Sequence, residues 1–443
     1  MNADVGRKLS SDSNLNPEHS NPSAQNVDLE KHTSPINKAK DNGPPDGGFE
    51  AWMVILGAFC TVFASFGWIN CIGVFQNYYE TNSLKSYSSS TIAWIPSTES
   101  FMLFFWGPVA GKLTDDYGPR IPILLGLFLH VLGLMMTSIS TQYYQIFLAQ
   151  SVCSALGCCF LFYPTITVCS GWFLKHRALA LGIAFSGSSI GGVVMPIMVQ
   201  KLIDKAGFGW AMRGVAFMIL FLLVIGNLTL KARLPPTHKP FRPKAFFTPF
   251  KEKPFLLLTI GSFFLYLGGF LPFNFLIVEA QANGMSTQLA GYLVPITNAA
   301  STFGRIVPAQ LGDMYGVFNV MIVNTLLGAI FILAVWLPSA SNAPLIVFAI
   351  LYGFTSGCIF SIVPAMVAGL SDPAEIGTRN GALYCVSAVG ALIGSPIAGA
   401  ISNAQHGGFA GLIIFSAVCL LLGAGFAVLS RQAQVGLKLK VKV

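Results

Sequence analysis

The decapeptide Gly111-Lys112-Leu113-Thr114-Asp115-Asp116-Tyr117-Gly118-Pro119-Arg120 breaks a strongly apolar region with a cluster of charged side chains. Its residue types have distinct physical uses. Gly111 lets a neighbouring helix approach, Gly118 permits a tight turn, and Asp115 suits a cation or a helix N-terminus. About two hundred residues later, Leu311-Gly312-Asp313-Met314-Tyr315-Gly316 keeps the spacing from aspartate to glycine, with Ala309 where the first glycine would fall. The echo extends into the apolar stretches. Gly57, Phe59, Phe66, Asn70 and Val74 recur as Gly261, Phe263, Phe270, Asn274 and Val278, and Gly157, Cys158, Phe160 and Pro164 recur as Gly357, Cys358, Phe360 and Pro364. A doubled apolar domain predicts two similar bundles that rock against each other around one site, the arrangement of a secondary transporter.

Of 443 residues, 53% are hydrophobic and 10% charged, far below the roughly 25% charged residues of soluble chains. The class is therefore an all-α membrane protein. Apolar runs of about 20 residues, enough to cross a bilayer, fall at 52–77, 92–111, 121–140, 145–170, 179–200, 211–230, 254–278, 289–309, 319–338, 344–369, 380–402 and 409–430. They predict twelve transmembrane helices in two pseudo-symmetric six-helix bundles, 46–230 and 254–430. A basic cytosolic linker, 231–253, divides them, and residues 431–443 form a second cytosolic tail. Residues 1–45, rich in Asn, Ser, Pro and Lys, read as a disordered cytosolic tail, and no cleaved secretory signal is expected.

Most lysines and arginines lie in the two tails, the 112–120 turn, Lys175, Arg177, the 231–253 linker and Arg379. That bias predicts both termini on the cytosolic side, and it accounts for the net charge of +8 without nucleic acid. The plasma membrane is the expected location, with a vacuolar or other internal membrane as the alternative. All nine cysteines sit in or beside apolar runs, where thiols act as small hydrophobes, so no metal site is expected. The chain has neither a GxxxxGK[ST] loop for ATP nor an HExxH set, so neither ATP, a cofactor nor enzymatic chemistry is expected.

The decapeptide matches the GxLxDxxGxR loop of the major facilitator superfamily, and the resemblance implies a gating role for Gly111, Asp115, Gly118, Arg120, Asp313 and Gly316. Asp46-Gly47-Gly48-Phe49-Glu50-Ala51-Trp52 resembles the opening signature of the monocarboxylate transporter family, in the longer-spaced form of its fungal members. The stretch from Trp172 through Lys175, Arg177 and Gly182 to Gly187 resembles that family's second signature. From the residues themselves, Trp52 is expected to anchor at the membrane interface and the Asp46 turn to cap the first helix. Lys175 and Arg177 read either as positive-inside anchors or as partners of acids in the facilitator loops. Gly182, Gly187, Gly191 and Gly192 give the fifth helix a smooth packing face, mirrored by Gly390 and Gly394 beside Pro396, while Pro196 is the mate of Pro396.

Ionisable side chains inside spans are costly and so point to function. Arg305 in the eighth span reads either as a carboxylate clamp, the role the resemblance implies, or as an arginine snorkelling to the boundary. The family pattern places an acid four residues earlier and a lysine in the first span. This chain has Ser301 and Asn70 there, which weakens lactate-like proton symport. Asn70 and Asn274, at equivalent places in spans one and seven, and Asn298 in span eight are further substrate candidates. Trp68, Phe66, Phe75, Phe270 and Phe273 offer an aromatic wall. Glu99 reads either as the proton-coupling group or as a carboxylate paired with a helix dipole or a hydroxyl, and His130 reads as an interhelical hydrogen bond.

The leading expectation is a secondary active transporter moving a small organic acid, monocarboxylate-like, or a related metabolite by alternating access, with H+ as the candidate coupling ion. Its partners are then a small molecule, H+ and the bilayer. Efflux of a carboxylated fungal secondary metabolite is the alternative, and a non-transporting nutrient sensor is the alternative from another class.

Overall fold

The computed structural model describes residues 43–236, 246–339 and 341–436, together with 438 and 441. The predicted tail at 1–45 lies almost wholly outside the described residues, as does part of the 231–253 linker. Pro44–Val443 forms one compact unit. Among the described residues the structure is helical, with no strand.

Among the described residues twelve helical rods succeed one another. They are α1 (Phe49–Ser83), α2 (Ser89–Phe105, continued by Gly107–Tyr117), α3 (Arg120–Thr137), α4 (Tyr143–Trp172), α5 (Arg177–Ala206) and α6 (Phe208–Thr229), followed by α7 (Lys253–Ala282), α8 (Leu293–Tyr315), α9 (Val317–Trp336), α10 (Asn342–Gly369), α11 (Pro373–Ala404) and α12 (Ala410–Val435). Ten are long and apolar enough to span a bilayer, α2 and α8 being the exceptions. The reason is compositional. Lys112, Asp115 and Asp116 lower the hydropathy of α2, which is also interrupted at Trp106, and α8 carries Asn298, Arg305 and Asp313. An even number of rods returns the chain to its starting end, so the start of α1 and the close of α12 share a terminal end, opposite a far end.

Several rods are irregular. The α-helix of α1 breaks at Asn70–Cys71 and winds as a π-turn over Tyr79–Ser83, while α4 contains a π-segment over Phe147–Ser154. In α7 the break falls at Phe270, and Pro272 opens the next segment. Gly118 and Gly316, with φ of 81° and 98°, end α2 and α8 in the left-handed region that suits glycine. The two polar turns are thus built alike, down to the backbone.

Close helix packing repeats between the halves as well. A side chain on Gly187 would overlap the Phe59 carbonyl of α1, and one on Gly394 would overlap the Leu267 carbonyl of α7. Large apolar side chains such as Phe128, Phe221 and Leu228 remain on the outside, as a surface facing hydrocarbon requires.

Candidate functional site

At the terminal end, α2 meets α11 and α5 meets α8, which joins the first six helices to the last six. Gly111 lies so close to α11 that a methyl group there would overlap the Gly377 carbonyl, and Gly182 stands in the same relation to the Arg305 carbonyl of α8. Each seam is fastened by a carboxylate on a helix N-terminus. Asp115 accepts N–H bonds from Gly377 (3.0 Å) and Thr378 (2.7 Å) and the Thr378 hydroxyl (2.7 Å). Asp313 accepts N–H bonds from Ala178 (3.0 Å) and Leu179 (2.8 Å). The second loop, the weaker match in sequence, therefore forms the same kind of latch. Arg120 is exposed, and Lys112 bonds within its own turn to Asp116 (2.6 Å).

The two signature stretches meet each other. Asp46 does not cap α1, whose N-cap Gly48 makes no side-chain bond. Instead its Oδ1 accepts the backbone N–H groups of Leu174 (2.6 Å), Lys175 (2.6 Å) and His176 (3.3 Å), at the entrance to α5. The turn Asp46-Gly47-Gly48 has positive φ throughout, which swings the carboxylate away from α1. Trp52 packs edge-on against Phe173 at 5.5 Å. Burial raises the Asp46 pKa, but the three backbone donors and the nearby His176 hold it below its ordinary value. Lys175 is exposed, whereas Arg177 bonds to the Phe173 carbonyl (3.1 Å) and lies in the fields of both Asp46 and Asp313.

Arg305 does not snorkel. Its helix continues to Tyr315, and the side chain is only 3% exposed. Nη1 donates to the Phe185 carbonyl (2.8 Å) and the Ser188 hydroxyl (2.5 Å) of α5, and Nε donates to Ser301 (3.3 Å). Ser301 also pairs with Ser189 across the same seam (3.0 Å). Tyr266 of α7 and Tyr384 of α11 lie within electrostatic reach of the guanidinium, and the buried Tyr384 hydroxyl completes no hydrogen bond of ordinary geometry. Around them runs an aromatic layer shared by both halves. Phe360 of α10 lies 5.0 Å from Phe270, 5.4 Å from Tyr266 and 6.4 Å from Phe66 of α1, while Phe104 of α2 lies 5.5 Å from Tyr384.

Glu99, 1% exposed, accepts the Trp68 indole N–H (2.7 Å) and the Gln150 amide (3.0 Å), and Gln150 in turn accepts the Tyr79 hydroxyl (2.6 Å). Every bond in this network is to a neutral group. Gln150 lies in the π-segment of α4 and Tyr79 opens the π-turn of α1, the kind of helix defect that often marks a functional position. His130 bonds to Ser154 (2.8 Å) and the Ala64 carbonyl (3.2 Å).

The asparagine candidates divide. Asn274 is exposed and donates to Ser395 of α11 (2.8 Å), Asn70 donates to its own helix at Phe66 (3.0 Å), and Asn298 is buried against Gly192. Aromatic residues 75 and 68 belong to the core of the first half, whereas Phe66 and Phe270 join the central layer. Sequence reasoning missed Tyr266, Tyr384 and Phe360, which look like ordinary span aromatics, and Gln150. It also missed Glu279, because α7 runs on to Ala282 beyond the span predicted to end at 278.

The family model of the Major Facilitator Superfamily matches residues 57–341 and 258–440. The chain is 49% identical over 416 residues to the "MFS transporter asaE" of Aspergillus flavus, covering 94% of each chain. It is 43% identical to the "Fujikurins efflux protein" of Gibberella fujikuroi, covering 97% of this chain and 92% of that protein. Its fold is similar to the crystal structure of the transporter FucP in the outward conformation, at a TM-score of 0.67 and 17% identity over 85% of this chain and 98% of that one. With a family model that matches nearly the whole apolar region and relatives close to half identical over most of their length, the chain belongs to the Major Facilitator Superfamily of membrane transporters.

Proposed function

We propose that the protein exports a small acidic metabolite by alternating access, with Arg305 engaging the acid. The observation that carries this reading is the position of Arg305, buried at the seam and held, among the described residues, by one carbonyl and two hydroxyl groups. A carboxylate or similar oxyanion is a stronger, bidentate partner for guanidinium than these neutral acceptors, so cargo can displace them and loosen the seam. The aromatic layer beside it suits a ligand with flat unsaturated rings. A relative named for efflux favours export over uptake. Uptake of a simple monocarboxylate has less support. Asp46 and Trp52 are engaged with residues 173–176, and Asn70 and Ser301 stand where the monocarboxylate pattern has a lysine and an acid.

In this reading Glu99 carries the coupling proton, the terminal end with both termini faces the cytosol, and the plasma membrane is the site of action. The 231–253 segment then links two bundles, 46–230 and 254–430, that move as units. Efflux from a transporter-deficient cell, screened with acidic metabolites at two pH values, tests the proposal. Arg305→Ala should lower efflux by about tenfold or more, in line with losing a charged hydrogen bond, with unchanged membrane abundance. Efflux at the original rate would remove the arginine from the cargo site. Glu99→Gln should flatten the pH dependence of flux, and a retained pH profile would exclude Glu99 as the coupling group.

A further inference from the structure

The last six helices bury a carboxylate of their own. Glu279 lies in the final turns of α7, 4% exposed, and its Oε2 accepts the indole N–H of the fully buried Trp336. Trp336 closes a π-turn, Ile332–Trp336, at the far end of α9. The exposed turn 281–284 follows directly, so bulk water is two residues away. Among the described residues no ion pair reaches Glu279, and the C-terminal end of a helix is an unfavourable place for negative charge.

From Trp336 an unbroken chain of contacts leads back to the middle of α7. The indole stacks on Phe348 of α10 (5.0 Å, 19°), Phe348 stacks on Tyr352 (5.3 Å, 22°), and the Tyr352 hydroxyl donates to the Gly269 carbonyl (2.6 Å). Gly269 is the last α-helical residue before the break at Phe270. Among the described residues, the other titratable side chains that meet α7 from its neighbours lie nearer the terminal end. They are Tyr384 and Arg379 of α11, against Tyr266 and Phe255, Arg305 of α8, near Tyr266, and Cys419 of α12, against Gly268. None of them hydrogen-bonds to Glu279.

We propose that Glu279 is a proton-binding site open to the far side, whose occupancy is relayed through Trp336, Phe348 and Tyr352 to the break in α7. A proton from the far-side water adds to the carboxylate and leaves the same way. Its arrival turns a charged acceptor into a neutral one, weakens the bond to the indole, and frees the aromatic stack that holds the Gly269 carbonyl. The break lies beside Phe270 in the aromatic layer, so the relay makes that layer responsive to far-side pH.

Hydrogen exchange of the full-length protein in lipid nanodiscs tests this without any cargo, so it stands or falls independently of the efflux assay. After correction for intrinsic exchange, protection of the peptide spanning Gly269 to Asn274 should fall by about tenfold between about pH 8 and pH 5. Glu279→Gln, which keeps an acceptor for the indole, should give the low protection at both pH values, and Tyr352→Phe should abolish the pH response. A pH response that survives in Glu279→Gln, or that persists unchanged in Tyr352→Phe, would overturn the proposal. So would a wild-type peptide whose protection does not vary with pH.

Discussion

Asp46 collects three backbone N–H groups from the segment that opens α5, and its φ of 54° is one that aspartate tolerates better than most side chains. Its folded-state pKa lies below the ordinary 3.8, so the stabilisation it supplies is complete above that value and is lost as the pH falls through the lower folded one. Asp46→Asn should therefore lower the melting temperature by a constant amount near neutrality, a difference that shrinks below about pH 4. A gap that widens on acidification would contradict the assignment. At this scale the sequence is legible where chemistry is conspicuous. Arg305 and Glu99 stand out because ionisable side chains are rare in apolar runs, while their partners do not. The Phe185 carbonyl and Gln150 become partners only through tertiary packing across more than one helix. Asp46 caps neither α1, as the sequence suggests, nor α5, but ties down the turn before α5, because local sequence does not reveal which amides a left-handed turn will face.

Helices were the most readable elements, since hydropathy fixes a span without any knowledge of its neighbours. Their ends and defects were less so. Extension of α7 to Ala282 and the π-turns of α1, α4 and α9 depend on packing that no window of sequence contains. The latches show what an element can contribute beyond its length. A carboxylate on a helix N-terminus is worth about 0.3–2 kcal/mol, so Asp313→Asn should shift the balance towards an open α5–α8 seam by roughly two- to thirtyfold. Asp115→Asn should act in the same sense on the α2–α11 seam. Exchange of the Ala178 and Thr378 amides reads the two seams separately, and unaltered protection in both variants would show that glycine packing alone holds them closed.

For the whole molecule, the repeat is exact in plan but unequal in execution. Asp115 is buried at the α11 N-terminus, whereas Asp313 is only half-buried against the α5 backbone. Water therefore reaches one latch before the other. The expected consequence is an order of events, in which the α5–α8 seam would wet and part first and the α2–α11 seam would serve as the fulcrum about which the carrier opens on one flank. Cargo seated at Arg305, on the flank that parts, would then leave sideways past α5 rather than straight down the axis.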